Sequence, residues 1–188
     1  NLMNFKGISY YLSLFCFPLS ILAFINILYS SYFDYFLSIN SYVTTLFISL
    51  FIGIFFLFLS KGSSKKINFI EQLILIIIVY FIVSILLSLP FYLSNYQVTF
   101  TNAFFESISG VTGTGFSIFK DIKYLDPTLI IWRSSSQWIG GLYFLFFLVI
   151  IFSNKQFSYK MTDFTFSGEG NVSSKSNIKD LLLKIFII

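Results

Sequence analysis

Four long apolar runs constrain this chain more than any other feature of its sequence. They cover residues 8–28, 42–59, 70–89 and 128–152, and the last run has a polar stretch in its first half. A helix needs about 20 residues to cross the hydrocarbon core of a bilayer, so each run can span it. Hydrophobic residues make up 56% of the chain and charged residues only 11%, which leaves too little polar surface for a soluble globule. The sequence therefore predicts an all-α integral membrane protein.

Two apolar segments near the ends of the chain need interpretation, the first of the four runs and a short additional one. Lys6 precedes the first run, but that run is too long for the core of a secretory signal and no small-residue cleavage site follows it, so we interpret it as a retained span. Residues 181–188 form a short apolar run that contains Lys184, and we interpret it as the truncated start of a further span. The polar residues 153–180 show no clear helical period, which predicts a loop.

The distribution of lysine predicts how the chain is oriented. If the four spans alternate in direction, one side collects eight basic residues: Lys6, Lys61, Lys65, Lys66, Lys155, Lys160, Lys175 and Lys179. The opposite side carries Lys120 and Lys123, which are offset by Asp121 and Asp126. Because basic residues are retained on the cytoplasmic side, we expect a plasma-membrane protein with a cytoplasmic N-terminus. The same bias accounts for the net charge of +4, so nothing indicates nucleic-acid binding.

Several classes of chemistry have no residues to support them. The chain has no His, and its one Cys, Cys16, lies inside the first run, so we expect no transition-metal site and no disulfide within the chain. The motifs GxxxxGK[ST], GxGxxG and GxSxG do not occur, and a Ser-His-Asp triad would lack its histidine. We therefore expect neither an enzyme nor a bound cofactor.

The segment between the third and fourth runs carries the most specific signal. Residues 100–108, with Thr99 or Thr101 as N-cap, predict a helix too short to cross a membrane and too apolar to lie in water. It leads into Ser-Gly-Val-Thr-Gly-Thr-Gly, residues 109–115. Non-helical backbone at membrane depth is tolerated only where it is buried in protein or lines a water-filled cavity. The pattern therefore predicts a pore helix and a loop that faces a pore.

The loop residues suit the chemistry of an ion site. Gly113 and Gly115 can adopt positive φ, which lets successive carbonyls point inward, while Thr112 and Thr114 can add hydroxyl oxygens or brace the loop. Uncharged oxygen ligands at a helix C-terminus suit a monovalent cation. Glu106 lies about two turns back and is not an obvious ligand. An ordinary tight turn and a phosphate-binding loop stay open as alternatives, although the first does not explain the short helix and the second lacks a following Lys.

Three segments resemble one known family. TNAFFESISGVTGTGFS, residues 101–117, resembles the first pore helix and filter of the Trk/Ktr/HKT superfamily of potassium transporters, and WRSSSQWIGG, residues 132–141, resembles the span that follows. SLPF, residues 88–91, resembles the end of the span before it. The resemblance implies two leading transmembrane helices followed by a repeat of helix, pore helix, filter loop and helix. The corresponding divisions are residues 1–62, residues 63–153, and a cytoplasmic loop with the start of a truncated span at 154–188.

Carried over onto this sequence, the resemblance assigns the filter to Thr112, Gly113, Thr114 and Gly115, with potassium bound at the filter carbonyls and Gly115 as the selectivity glycine. Gly113 stands where the family usually has Thr, and loss of that side chain is expected to loosen the loop. The resemblance further implies four repeats around a pore, hence further repeats or copies, and a cytosolic nucleotide-binding regulatory subunit.

Five residues are expected to support the loop. Glu106 and Arg133 are costly at membrane depth unless paired, so we hypothesise an ion pair between the pore helix and the fourth span. The alternative places Arg133 at the outer interface beside Trp132. Gly140 and Gly141 are expected to allow close helix packing, with a gating hinge as the alternative, and Gln137 to make a polar contact, with Trp138 at the interface.

Two functions remain open from the sequence. The first is potassium uptake across the plasma membrane by the pore-forming subunit of a Trk-type transporter, or a fragment of it. The second is a non-conducting membrane interaction subunit or a truncated remnant.

Overall fold

A computed structural model describes residues 4–35, 39–62 and 67–152 of the chain. It contains five α-helices, which are α1 (Phe5–Tyr32), α2 (Ile39–Leu59), α3 (Phe69–Tyr92), α4 (Phe100–Val111) and α5 (Pro127–Phe152), and a 3₁₀ turn at Ile122–Tyr124. No strand occurs in those three ranges, so the all-α prediction is confirmed. The helices as far as Ile151 belong to one unit. The loop and short apolar run predicted within 153–188 lie outside the described residues, as do Lys65 and Lys66.

Three of the helices are long and apolar enough to cross a bilayer, within the part of the chain described. They are α1 with 28 residues, α2 with 21 and α3 with 24. Their length and apolar composition confirm the prediction of an all-α integral membrane protein. Helix α5 has 26 residues and covers the fourth predicted span, but its first half contains a polar stretch from Arg133 to Gln137. Its crossing of the membrane stays a prediction.

Hydrogen bonds at the helix ends define which ends lie together. The carboxylate of Glu71 accepts the backbone N–H of Asn4 at 2.6 Å and that of Asn68 at 2.7 Å, which joins the beginnings of α1 and α3. At the start of α2, the Tyr42 hydroxyl donates to the Thr128 hydroxyl at the start of α5, at 3.1 Å. Helices α1 and α3 therefore begin at one end of the unit, and α2 and α5 begin together.

The core forms where α1, α3 and α5 meet. Phe15 of α1 packs edge-on to Tyr143 of α5 with ring centroids 4.9 Å apart, and the Tyr143 hydroxyl donates to the Phe15 carbonyl at 2.5 Å. Nearer the start of α5, the Trp132 indole N–H donates to the Leu87 carbonyl of α3 at 3.0 Å. Large apolar side chains cover much of the outer surface, which suits contact with lipid. These contacts hold α5 beside α3 and set the frame for the loop between them.

Candidate functional site

Helix α4 begins where the sequence predicts and ends later. The Thr99 hydroxyl accepts the Asn102 N–H at 3.4 Å, so Thr99 is the N-cap. The helix then continues to Val111, three residues past the predicted end at 108, and Gly110 belongs to the helix rather than to the loop. A Cβ on Gly110 would lie 2.3 Å from the Ser136 hydroxyl of α5. Close packing against α5 therefore requires glycine at this position of the helix.

The loop after α4 turns sharply at two glycines. Gly113 has φ of 71° and Gly115 has φ of 78°, both in the left-handed region that strains other residues. A Cβ on either would meet no atom within 4 Å, so backbone conformation and not space requires glycine there. Residues 112–116 are all exposed along this turn. The loop is therefore a narrow, accessible segment at the end of a half-length helix.

Both threonine hydroxyls tie the loop back to α4. Thr112 Oγ1 donates to the Ile108 carbonyl at 2.7 Å, and Thr114 Oγ1 lies 3.2 Å from the Ser109 carbonyl and 3.1 Å from the Ser109 hydroxyl. Of the two roles open to these side chains, this structure shows bracing. The carbonyls of Thr112, Gly113 and Thr114 accept no hydrogen bond from any residue that the structure describes. These three carbonyls thus lie unbonded on exposed loop backbone within the described residues.

Ser109 is a supporting residue that the sequence did not reveal. Its hydroxyl donates to the Phe116 carbonyl at 2.7 Å, beyond the far end of the loop, while its own carbonyl accepts the Gly115 N–H at 3.4 Å. The last turn of α4 and the exit of the loop are thereby joined. The only signal in the sequence was the position of Ser109 inside the glycine-rich motif, where a serine has no distinctive pattern.

Glu106 is completely buried behind the loop, with 0% of its side chain exposed. Its carboxylate accepts Arg133 Nε at 2.5 Å, the Ile118 N–H at 2.9 Å, and the Ser117 hydroxyl at 3.1 Å from both oxygens. A buried carboxylate is tolerable only when its oxygens are bonded and its charge is balanced, and these contacts meet both conditions. Ser117 and Ile118 were not singled out from the sequence, since neither a lone serine nor a backbone N–H carries a motif.

Arg133 joins the buried carboxylate to the loop itself. Its Nη2 donates to the Gly115 carbonyl at 3.1 Å and to the Phe116 carbonyl at 3.4 Å, while its Nε faces Glu106. The alternative that placed Arg133 at an outer interface beside Trp132 does not describe this structure, because Trp132 is fully buried. The hypothesised ion pair is present, and it extends to the carbonyl of the predicted selectivity glycine.

The remaining predicted support residues behave differently from one another. A Cβ on Gly140 would lie 2.1 Å from the Val111 carbonyl oxygen, so this glycine lets α5 touch the end of α4. At Gly141 a Cβ would meet no atom within 4 Å, so the structure shows no close packing for it. Gln137 is half-buried, and Trp138 is 67% exposed. Close approach therefore depends on one glycine of the pair.

Comparison with known proteins places this architecture in a family. The sequence model of the TrkH family, described as cation transport proteins, matches residues 38–169, well over half of the chain. An uncharacterized cation transporter of Methanocaldococcus jannaschii is 29% identical over 103 residues, which are 54% of this chain and 22% of that protein.

Two relatives carry a more specific name. A Trk system potassium uptake protein of Halomonas elongata is 46% identical over 55 residues, which are 29% of this chain and 11% of that protein. A Trk system potassium uptake protein of Vibrio parahaemolyticus is 28% identical over 102 residues, 54% of this chain and 21% of that protein. The chain thus matches between about a tenth and a fifth of each relative's length. Because the family model matches residues 38–169, which are most of its length, the chain belongs to the TrkH family of cation transport proteins.

Proposed function

We propose that this chain contributes one pore-loop repeat to a potassium uptake pathway across the plasma membrane. The observation that carries the proposal is the exposed loop at residues 112–115, which follows a half-length helix and turns at two left-handed glycines. Relatives named as potassium uptake proteins support potassium as the transported ion. No cofactor is part of this proposal.

The chemistry of the loop fits a dehydrated monovalent cation. The unbonded carbonyls of Thr112, Gly113 and Thr114 are neutral oxygen ligands, which can replace the water around potassium. The C-terminal end of α4 points a partial negative charge at the same place. The buried carboxylate of Glu106 is paired with Arg133 and does not serve as a ligand. Selection would therefore depend on carbonyl geometry rather than on a fixed negative charge.

One loop supplies only one set of carbonyls, whereas an ion in a pore is surrounded by several. We propose that further repeats or further copies complete the ring, as the family resemblance implies. We propose further that the chain lies in a lipid bilayer with its N-terminus in the cytoplasm. A cytosolic nucleotide-binding regulatory subunit is its proposed partner. The divisions at residues 1–62, 63–153 and 154–188 stay predictions within it.

The test uses the complete reading frame that contains this sequence, expressed in cells without their own potassium uptake. Gly115→Ser should abolish most rubidium uptake, because serine is strained at positive φ and distorts the loop. Gly62→Ser is the matched control, since Gly62 has φ of 75°, open space around it and a position in the α2–α3 connection. Uptake per amount of membrane-inserted protein should remain normal in the control.

Two outcomes of this experiment would contradict the proposed function. Uptake unaffected by Gly115→Ser would exclude the loop as the ion pathway. Absence of uptake with correctly inserted wild-type protein would instead favour a non-conducting membrane interaction subunit. Expression of the 188-residue chain alone, run in parallel, shows whether copies of this segment suffice to form a pathway.

A further inference from the structure

We infer that Arg133 is a positioning residue that sets the ion preference of the loop from behind, and that Glu106 cancels its charge so that a cation can occupy the loop. The inference rests on the proposed function and names the part of the site that controls specificity. It comes from a chain of contacts running from the buried carboxylate through the guanidinium to the Gly115 carbonyl.

The first step concerns the direction of the loop carbonyls. The Gly115 carbonyl accepts Arg133 Nη2 at 3.1 Å and is therefore held toward the protein. The three preceding carbonyls have no hydrogen bond within the described residues and lie on exposed loop backbone. The three preceding carbonyls are thus available to the ion, while Arg133 anchors the end of the loop at Gly115. Release of that anchor would let the spacing of the available carbonyls vary, and ions of different radius would be distinguished less well.

The second step concerns charge. A guanidinium always carries a positive charge and here touches the loop that would hold a cation. For two unit charges about 6 Å apart at an effective dielectric constant of about 20, repulsion lowers affinity about a hundredfold. Glu106 Oε1 lies 2.5 Å from Arg133 Nε, which makes the pair neutral as seen from the loop. Since Glu106 is completely buried and Arg133 is only 13% exposed, solvent screens this compensation little.

The third step explains why arginine and not lysine fits this position. Arg133 uses Nε for the carboxylate and Nη2 for the carbonyls of Gly115 and Phe116. Both nitrogens belong to one rigid planar group, so the buried carboxylate and the loop carbonyls are held at a set spacing. The single ammonium of a lysine would preserve the charge balance with Glu106 without this fixed spacing.

The experiment compares Glu106→Gln, Arg133→Gln, Arg133→Lys and the double variant Glu106→Gln/Arg133→Gln in the complete reading frame. Rubidium affinity and the sodium concentration that inhibits rubidium uptake are measured per amount of membrane-inserted protein. Ser134→Ala is the matched control, because Ser134 neighbours Arg133 but is exposed, and among the described residues its hydroxyl bonds only to the Ile130 carbonyl of the same helix.

Glu106→Gln should lower rubidium affinity by about tenfold or more, because it leaves the guanidinium uncompensated beside the loop. The double variant should recover part of that affinity while losing discrimination against sodium, since the charge and the anchor are removed together. Arg133→Lys should keep the affinity and lose discrimination. Failure of the double variant to exceed Glu106→Gln in affinity, or wild-type discrimination in Arg133→Gln and Arg133→Lys, would overturn the inference.

These outcomes are separable from failure of the proposed function. If uptake does not respond to Gly115→Ser, the loop is not the pathway and the proposed function fails. If uptake responds to Gly115→Ser while the Arg133 variants keep normal discrimination, only this inference fails. Should Glu106→Gln fail to reach the membrane, the sodium discrimination of the two Arg133 single variants decides.

Discussion

Gly140 of α5 lies directly against the backbone of Val111, the last residue of α4. A Cβ on Gly140 would stand 2.1 Å from the Val111 carbonyl oxygen and 2.7 Å from its Cα. The atoms in the way belong to backbone, so a side-chain rotation cannot relieve the clash. This contact sets how closely the end of the half-length helix approaches α5, and hence where the loop begins.

This contact predicts that alanine at Gly140 lowers the stability of the protein and that alanine at Gly141 does not. Gly140→Ala should force α4 and α5 apart and lower the free energy of unfolding by about 1–3 kcal/mol or more. Gly141→Ala is the matched control, because its Cβ would meet no atom within 4 Å and alanine favours helix. Thermal unfolding of the detergent-solubilised protein measures both. Equal melting temperatures for the two variants would contradict this account of the packing.

Gly113 stands where the resembled family usually has Thr, and its backbone conformation predicts which substitutions the loop tolerates. Its φ of 71° suits glycine, is tolerated by asparagine, and is strained for a β-branched residue. Gly113→Asn should therefore retain more rubidium uptake than Gly113→Thr, although Thr is the residue that the resembled family usually has. Uptake in Gly113→Thr equal to or above that in Gly113→Asn would show that the loop uses a different backbone when it functions.

The hydrogen bond between Trp132 and α3 is predicted to stabilise the fold. The Trp132 indole N–H donates to the Leu87 carbonyl in α3 at 3.0 Å, and both groups are buried. Trp132→Phe should lower the free energy of unfolding by about 0.5–1.5 kcal/mol, because the buried hydrogen bond between α5 and α3 is lost. Trp138→Phe is the control, since Trp138 is 67% exposed on the same helix. A larger loss in the control would contradict the prediction.

The orientation of the protein can be tested with single cysteines. Lys61 and Lys120 are both exposed, and the lysine distribution predicts that they lie on opposite sides of the membrane. In a Cys16→Ala background, Lys120→Cys should react with an impermeant maleimide on intact cells. Lys61→Cys should react only after permeabilisation. The reverse pattern would place the N-terminus outside.

Much of the architecture was predictable from local pattern. The apolar runs predicted α1, α2, α3 and α5, since a helix that crosses a bilayer must be apolar along its length whatever it packs against. The end of α4 was not predictable in this way. Residues 109–111 read as loop because of Ser109 and Gly110, yet Gly110 is helical where its missing side chain makes room for Ser136.

The sequence by itself determined that this chain is an all-α membrane protein with a short helix and a glycine-rich turn, because apolar length and glycine's access to positive φ are local properties. Only the tertiary structure decided which side chains support that turn. Glu106, Ser117 and Arg133 lie apart along the chain and meet behind the loop. Hydrogen bonds between segments depend on how the helices pack, and a pattern within any one segment does not contain that information.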